Sequence, residues 1–149
     1  MPRSTYKSNS WIPEIGNRAD AQQAMKVGAF AAWFVAAVNI AIGAYILFAA
    51  PEAMRTFGVT GMSIIDGVCF ALVGIFTWRY SLSSAWIGLI LFSLEKIFQW
   101  VTQPKAIVGI VMAVILWIGF LNGVRGAVAL RRFNREAANA PLGTEAAEG

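Results

Sequence analysis

The residues of this chain best suited to chemistry are the charged and amide side chains that interrupt its apolar stretches. Glu95 and Lys96 lie side by side within one such stretch, and Asp66 lies within the stretch before it. Each charge costs roughly 2.5–3.5 kcal/mol of insertion free energy at the centre of a membrane helix. A charge at that depth therefore needs a partner that stabilises it or a functional reason to be there. Together with Gln99 and Asn39, these residues are candidates for an intramembrane polar cluster.

The depth of these residues in their stretches predicts how they pair. Asp66 lies about five residues into its stretch and Lys96 about five residues from the end of the next, so antiparallel helices place them at one level. We expect an Asp66–Lys96 ion pair, with Glu95 and Gln99 close by and Asn39 placed to hydrogen-bond Glu95. Glu95 falls on a small and polar stripe that should face the bundle interior. Lys96 points about 100° away around the helix.

A structural role is an alternative for each of these charges. Asp66 closes the pattern Ser63-Ile-Ile-Asp66, which is typical of a capping box at a helix start. Lys96 could extend its ammonium to the membrane surface, and Glu95 could serve an ordinary ion pair or interhelical hydrogen bond. The cluster is therefore compatible both with packing and with proton or ion movement.

Four long apolar stretches must position these residues, at about 27–49, 62–78, 84–101 and 106–130. Each is near the roughly 20 residues that cross the hydrocarbon of a bilayer. The chain is 58% hydrophobic and 13% charged, whereas about a quarter of the residues in a soluble domain are charged. Because the connections are short, the sequence predicts an all-α membrane protein, an up-down-up-down bundle of four transmembrane helices.

The remaining segments flank this bundle. We expect residues 1–26 to form an arm and the start of helix 1, residues 27–130 the transmembrane domain, and residues 131–149 a basic end that becomes a flexible tail from Glu136. The pattern Asn17-Arg-Ala-Asp20 predicts the helix start. Residues 51–58 are predicted to form a short interfacial helix. Trp11 is expected to dock on the bilayer surface or a partner.

Basic residues predict the orientation of the bundle. Most of the 12 lysines and arginines flank the side that carries both termini, which places that side in the cytoplasm. The excess of these 12 basic residues over the 8 acidic residues then reflects membrane topology and attraction to anionic headgroups, not nucleic-acid binding. Arg125, Arg131 and Arg132 are candidates to contact a lipid phosphate or an acidic partner.

Small residues predict how the helices pack. They form strips on the last and the first stretch, at Gly119, Gly123, Gly126, Gly28, Ala32 and Ala36. In lipid, close backbone approach and dispersion hold helices together, so these strips are packing surfaces. The pattern leaves open whether they pack within one chain or between copies.

The end of the last stretch carries a short motif, Asn122-Gly-Val-Arg-Gly126. With the order of the four stretches, this motif resembles small four-span bacterial inner-membrane proteins of unknown function. The resemblance implies a bacterial origin and a compact bundle in the inner (plasma) membrane. It implies no activity.

The absence of reactive residue types narrows the function further. The chain has no histidine, a single cysteine and no phosphate loop or nucleophile motif, so we expect neither an enzyme nor a bound cofactor or metal. The favoured function is a non-catalytic accessory or structural subunit that packs in a larger membrane assembly or with copies of itself. The alternative is a small proton- or ion-coupled transporter or channel that uses Glu95, Asp66 and Lys96.

Overall fold

The regular secondary structure of the described part of the chain is entirely helical. The computed structural model describes residues 14–48, 62–102 and 109–139. These ranges contain α1 (Arg18–Phe48), α2 (Met62–Trp78), α3 (Leu82–Thr102) and α4 (Ile110–Asn139). Trp11, the predicted interfacial helix at 51–58 and the last ten residues lie outside the described residues.

The four helices form an antiparallel bundle. Helix α1 packs along both α2 and α4, and α3 lies between α2 and α4. Along the α1–α2 contact, Gly43 meets Ile64 and Trp33 meets Gly74, so the two helices run in opposite directions. We call the end where α1 and α3 begin and α2 and α4 end the basic end, and the opposite end the far end. The predicted all-helical bundle is confirmed.

Three helices, α1, α3 and α4, are long and apolar enough to cross a membrane, and α2 is a shorter apolar helix. Their outward faces carry large apolar side chains, including Phe48, Phe98 and Val101, which are all more than two-thirds exposed. An exterior with so many exposed apolar side chains is typical of helices that face lipid. The described helices are therefore compatible with a membrane protein.

Helix α1 begins where its sequence pattern predicts. The backbone N–H of Asp20 donates to Asn17 Oδ1 at 2.9 Å, and the backbone N–H of Gly16 donates to Asp20 Oδ2 at 3.2 Å. These bonds satisfy backbone donors that the first helical turn leaves without partners.

Helix α4 extends further than predicted. It continues through Asn139, so Glu136 to Asn139 are helical and are not part of a flexible tail.

A tight turn joins α2 to α3 and fixes their register. Ser81 N–H donates to the Phe76 carbonyl and Tyr80 N–H donates to the Thr77 carbonyl, while Tyr80 has a φ of 64°. This is the hydrogen-bond pattern of a Schellman helix end, in which glycine usually takes the left-handed position. Within the first turn of α3, the Ser84 hydroxyl donates to the Val73 carbonyl at 2.9 Å. The two helices are thus hydrogen-bonded across their interface directly after the turn.

Glycines bring α1 and α4 into backbone contact. A Cβ atom on Gly28 would lie 2.7 Å from the Cα of Gly123, and one on Gly126 would lie 2.6 Å from the Ala21 carbonyl oxygen. Gly119 faces the side chain of Ala31 on α1, whose Cβ would lie 3.0 Å from a Cβ atom at that position. The predicted strip on α4 therefore packs within the chain, against α1.

The alanines of the α1 strip are also used inside the bundle. Ala32 is fully buried, and the carbonyl of Ala36 lies 3.0 Å from the place a Cβ atom of Gly67 on α2 would take. Helix α1 thus uses small residues against two neighbours at once. The sequence left open whether these small residues pack within one chain or between copies. In the structure they pack within one chain.

Replacing Gly28 with valine is expected to lower the free energy of unfolding by about 1–3 kcal/mol, since the added atoms collide with the α4 backbone. Gly109→Val is the matched control, because no described neighbour lies within 4 Å of a Cβ atom at that position. Unfolding of both variants in mild detergent measures the difference. Equal loss of stability in the two variants would contradict the close approach of α1 and α4.

Candidate functional site

The predicted polar cluster centres on Lys96, towards the far end of α3. Its ammonium donates to Glu95 Oε1 at 3.3 Å and to Gln99 Oε1 at 3.1 Å. The same nitrogen lies 5.3 Å from the ring centre of Phe92, a cation–π distance. All of these partners belong to α3, so the charge of Lys96 is accommodated by its own helix.

The predicted Asp66–Lys96 ion pair is wrong. In the part of the chain that the structure describes, the Asp66 carboxylate makes neither an ion pair nor a hydrogen bond, so its side chain does not close a capping box with Ser63 either. The physical reason is the length of the lysine side chain. Its Cβ points away from that of Glu95, but four methylenes let the ammonium return to a carboxylate one residue away.

The side chains of Glu95 and Asn39 make fewer hydrogen bonds than predicted. The second carboxylate oxygen of Glu95, Oε2, is buried and has no hydrogen-bond partner. The predicted Asn39–Glu95 hydrogen bond is absent, and the side-chain amide of Asn39 makes no other hydrogen bond within the described ranges. Asn39 does lie at the predicted level, because it lines a cavity with Lys96 and Gln99.

Two partly open cavities meet at Lys96. The first, of about 280 Å³, lies between α1, α3 and α4 and contains the polar groups of Asn39, Lys96 and Gln99. The second, of about 310 Å³, lies between α3 and α4, where Ile97 and Val114 line it. We refer to them as the lateral cavities. They place an ammonium and two amides next to otherwise apolar walls.

Aromatic rings fill the bundle beside the lateral cavities. Phe70 of α2, Phe92 of α3 and Phe120 of α4 are nearly fully buried, with ring centres 5.1–6.3 Å apart. Such edge and offset contacts add about 0.5–1.5 kcal/mol each beyond the apolar area that they bury. We refer to these residues as the phenylalanine triad. It separates the lateral cavities from the basic end.

Two side-chain contacts between helices, one polar and one aromatic, were not predicted from the sequence. The indole N–H of Trp117 donates to Ser93 Oγ at 3.1 Å, and the Ser93 hydroxyl donates to the Leu89 carbonyl at 2.8 Å. Near the basic end, Trp33 stacks on Trp78 with ring centres 5.4 Å apart. An isolated serine in an apolar stretch and a deep tryptophan are the signals that could have indicated the first contact.

The arginines predicted to contact lipid or a partner lie in two places. Arg125 donates to Asn122 Oδ1 at 3.4 Å and stands apart, on an exposed face of α4. Arg131 and Arg132 lie further along α4, where they line a groove at the basic end. Arg132 Nε donates to Glu136 Oε1 at 2.7 Å in an exposed pair.

Comparison with protein-family models, with curated proteins and with solved structures finds no match to this chain. Among the described residues, no group of three or more histidine, cysteine, aspartate or glutamate side chains is placed to hold a metal ion. The function of the chain must therefore be inferred from the lateral cavities, the contacts between its helices and the basic end.

Lys96→Met is expected to destabilise the bundle by about 1–2 kcal/mol, because the Glu95 carboxylate then loses the cation that it pairs with among the described residues. The double variant Glu95→Gln/Lys96→Met should recover part of this loss, since no unpaired charge remains. Unfolding midpoints in detergent give the comparison. Arg132→Met, which breaks an ion pair whose side chains are 78% and 54% exposed, is the control and should change stability little. A double variant less stable than Lys96→Met would contradict the pairing.

Proposed function

We propose that this chain is a multi-pass protein of the bacterial inner membrane with both termini in the cytoplasm. Three long apolar helices and their apolar outward faces support the insertion of the bundle in a membrane. Charge supports the orientation. The described basic side chains other than Lys96 and Arg125 lie towards the basic end, at Arg18, Lys26, Arg79, Arg131, Arg132 and Arg135. Such an excess is typical of the cytoplasmic side.

Within the membrane, the chain acts as a non-catalytic accessory or structural subunit, in a larger assembly or with copies of itself. The lateral cavities are the observation that carries this proposal. They expose Asn39 and Lys96 on the side of the bundle, next to apolar walls. In an isolated bundle, lipid chains would occupy this space and could not hydrogen-bond the polar groups. A helix or loop of a neighbouring subunit both fills the space and satisfies them.

The glycine strips are not the contact surface for that neighbour. Gly28 and Gly123 face each other inside the bundle, and so do Gly119 and Ala31. A partner must therefore dock elsewhere on the helices. The lateral cavities lie outside these strips and combine apolar walls with the hydrogen-bonding groups of Asn39 and Lys96.

A transporter or channel that uses Glu95, Asp66 and Lys96 is supported less well. Ion movement through the bundle needs a hydrated path between its two ends, and the phenylalanine triad fills the centre beside the lateral cavities. Asp66 makes no contact with Lys96, and the Lys96 charge is balanced on α3. These contacts favour a structural role for the cluster.

Partner contact is tested with a photoreactive benzophenone residue in place of Ile97. This side chain lines one lateral cavity and is 56% exposed. We expect irradiation of native membranes to give one protein adduct that copurifies at a fixed ratio. An adduct of twice the chain mass identifies a homo-oligomer, and any other single mass identifies a different subunit.

Ile65 is the matched control for this experiment. It is 55% exposed, and antiparallel packing of α2 and α3 puts it near the level of Ile97, but it does not line the lateral cavities. Position 65 should give lipid adducts without a protein adduct. Equal protein adducts from both positions, or none from position 97, would refute docking at the lateral cavities.

Flux measurements separate the two functions. Liposomes that contain the parent chain should show no more pH-dependent ion flux than empty liposomes, because the proposal includes no hydrated path. Glu95→Gln should behave in the same way. A flux in the parent that Glu95→Gln abolishes would establish the transporter and remove the subunit proposal.

A further inference from the structure

A groove at the basic end lies between the start of α3 and the last turns of α4. It has a volume of about 340 Å³. Leu82 and Val128 give it an apolar floor, and Arg131, Arg132 and Arg135 stand along one side. We refer to it as the basic groove. Helix α4 continues about 11 residues, or roughly 16 Å, beyond Val128, so the arginines project from the bundle on a regular helix.

The charges of the basic groove are not balanced within the described chain. Glu136 is paired with Arg132 at 2.7 Å. Arg131 and Arg135, one helical turn apart, have no acidic partner among the described residues. Like charges at this spacing repel each other, and an anion held between them removes that repulsion. Two guanidinium groups on one side of a helix can also bind a phosphate in a forked, bidentate manner.

The apolar floor of the basic groove indicates which class of molecule carries the anionic group. Val128 is half exposed, and Leu82 extends the apolar surface from α4 to α3. One turn along α3 from Leu82, Trp86 is also exposed, and tryptophan is common at the headgroup level of membranes. Arginines beside an apolar surface therefore match a molecule with a phosphate at one end and an acyl chain at the other.

We propose that the basic groove binds an anionic phospholipid of the cytoplasmic leaflet. Arg131 and Arg135 hold its phosphate, and an acyl chain lies along Leu82 and Val128. This inference rests on the membrane insertion proposed above, but it does not depend on a partner subunit. Its chemical requirements are a negatively charged headgroup and a hydrocarbon chain in the same molecule.

The test is thermal unfolding of the full-length chain in a neutral detergent with added dioleoyl phosphatidylglycerol or dioleoyl phosphatidylcholine. A ligand that binds only the folded state raises the unfolding midpoint, so we expect phosphatidylglycerol to raise it by about 3–5 °C. Phosphatidylcholine should give a much smaller shift. In Arg131→Gln/Arg135→Gln, the difference between the two lipids should be lost.

The matched control is Arg18→Gln/Arg79→Gln, which removes two exposed arginines of the basic end outside the groove. It carries the same net charge as the groove variant and should keep the phosphatidylglycerol shift. If the glutamine variant of the groove does not fold, Arg131→Lys/Arg135→Lys replaces it. That variant keeps the charge, loses the planar fork, and should keep less than half of the shift.

Several outcomes would overturn the proposal. These are an equal shift with phosphatidylcholine, an equal loss in the Arg18→Gln/Arg79→Gln control, or a full shift in the lysine variant. Inorganic phosphate or a polyglutamate peptide that stabilises the chain as strongly as phosphatidylglycerol would assign the groove to a free anion or an acidic protein instead. Failure of cross-linking at Ile97 does not affect this measurement, so the two proposals can fail separately. A chain that stays dissolved without detergent would remove both.

Discussion

The close approach of α1 and α4 at Gly28 and Gly123 is the contact on which the rest of the bundle depends. A side chain at either position would meet the backbone of the opposite helix. In the membrane proposed for this chain, no hydrophobic force drives helices together, so their association relies on dispersion, which requires such close contact. It makes α1 the central helix, with α4 on one side and α2 on the other. Helix α3 touches α1 little, and the cavity lined by Asn39 and Lys96 lies between them.

The charge of Lys96 shows how a bundle can hold polar groups without a buried network between helices. The ammonium bonds to Glu95 and Gln99 and lies over Phe92, all on α3. No second helix has to be in place to neutralise it. A charge that is paired within its own helix can face the neighbouring subunit proposed above, because both members of the ion pair belong to that helix. Glu95 Oε2, which is buried without a hydrogen bond, shows that this arrangement is incomplete within the described chain.

The two ends of the bundle differ in the chemistry that they offer. The basic end has exposed arginines on a projecting helix, next to apolar side chains. Towards the far end, cavities open at the side of the bundle and contain a balanced charge. The phenylalanine triad lies between them. These features suit the two contacts proposed above, one with lipid headgroups at the basic end and one with another subunit at the lateral cavities.

The apolar periodicity of the sequence determined the four helices and their antiparallel order, and its pattern at Asn17 determined the start of α1. These properties follow from local composition and short connections, which any antiparallel bundle of such helices shares. The glycine and alanine strips were also predictable. Their partners were not, because facing strips within one chain and between copies have the same sequence. Only the tertiary structure decided that Gly28 meets Gly123, and that Lys96 returns to Glu95 and does not reach Asp66. The reason is that depth along a helix fixes the level of a residue, whereas side-chain length and the rotation of each helix decide which atoms meet.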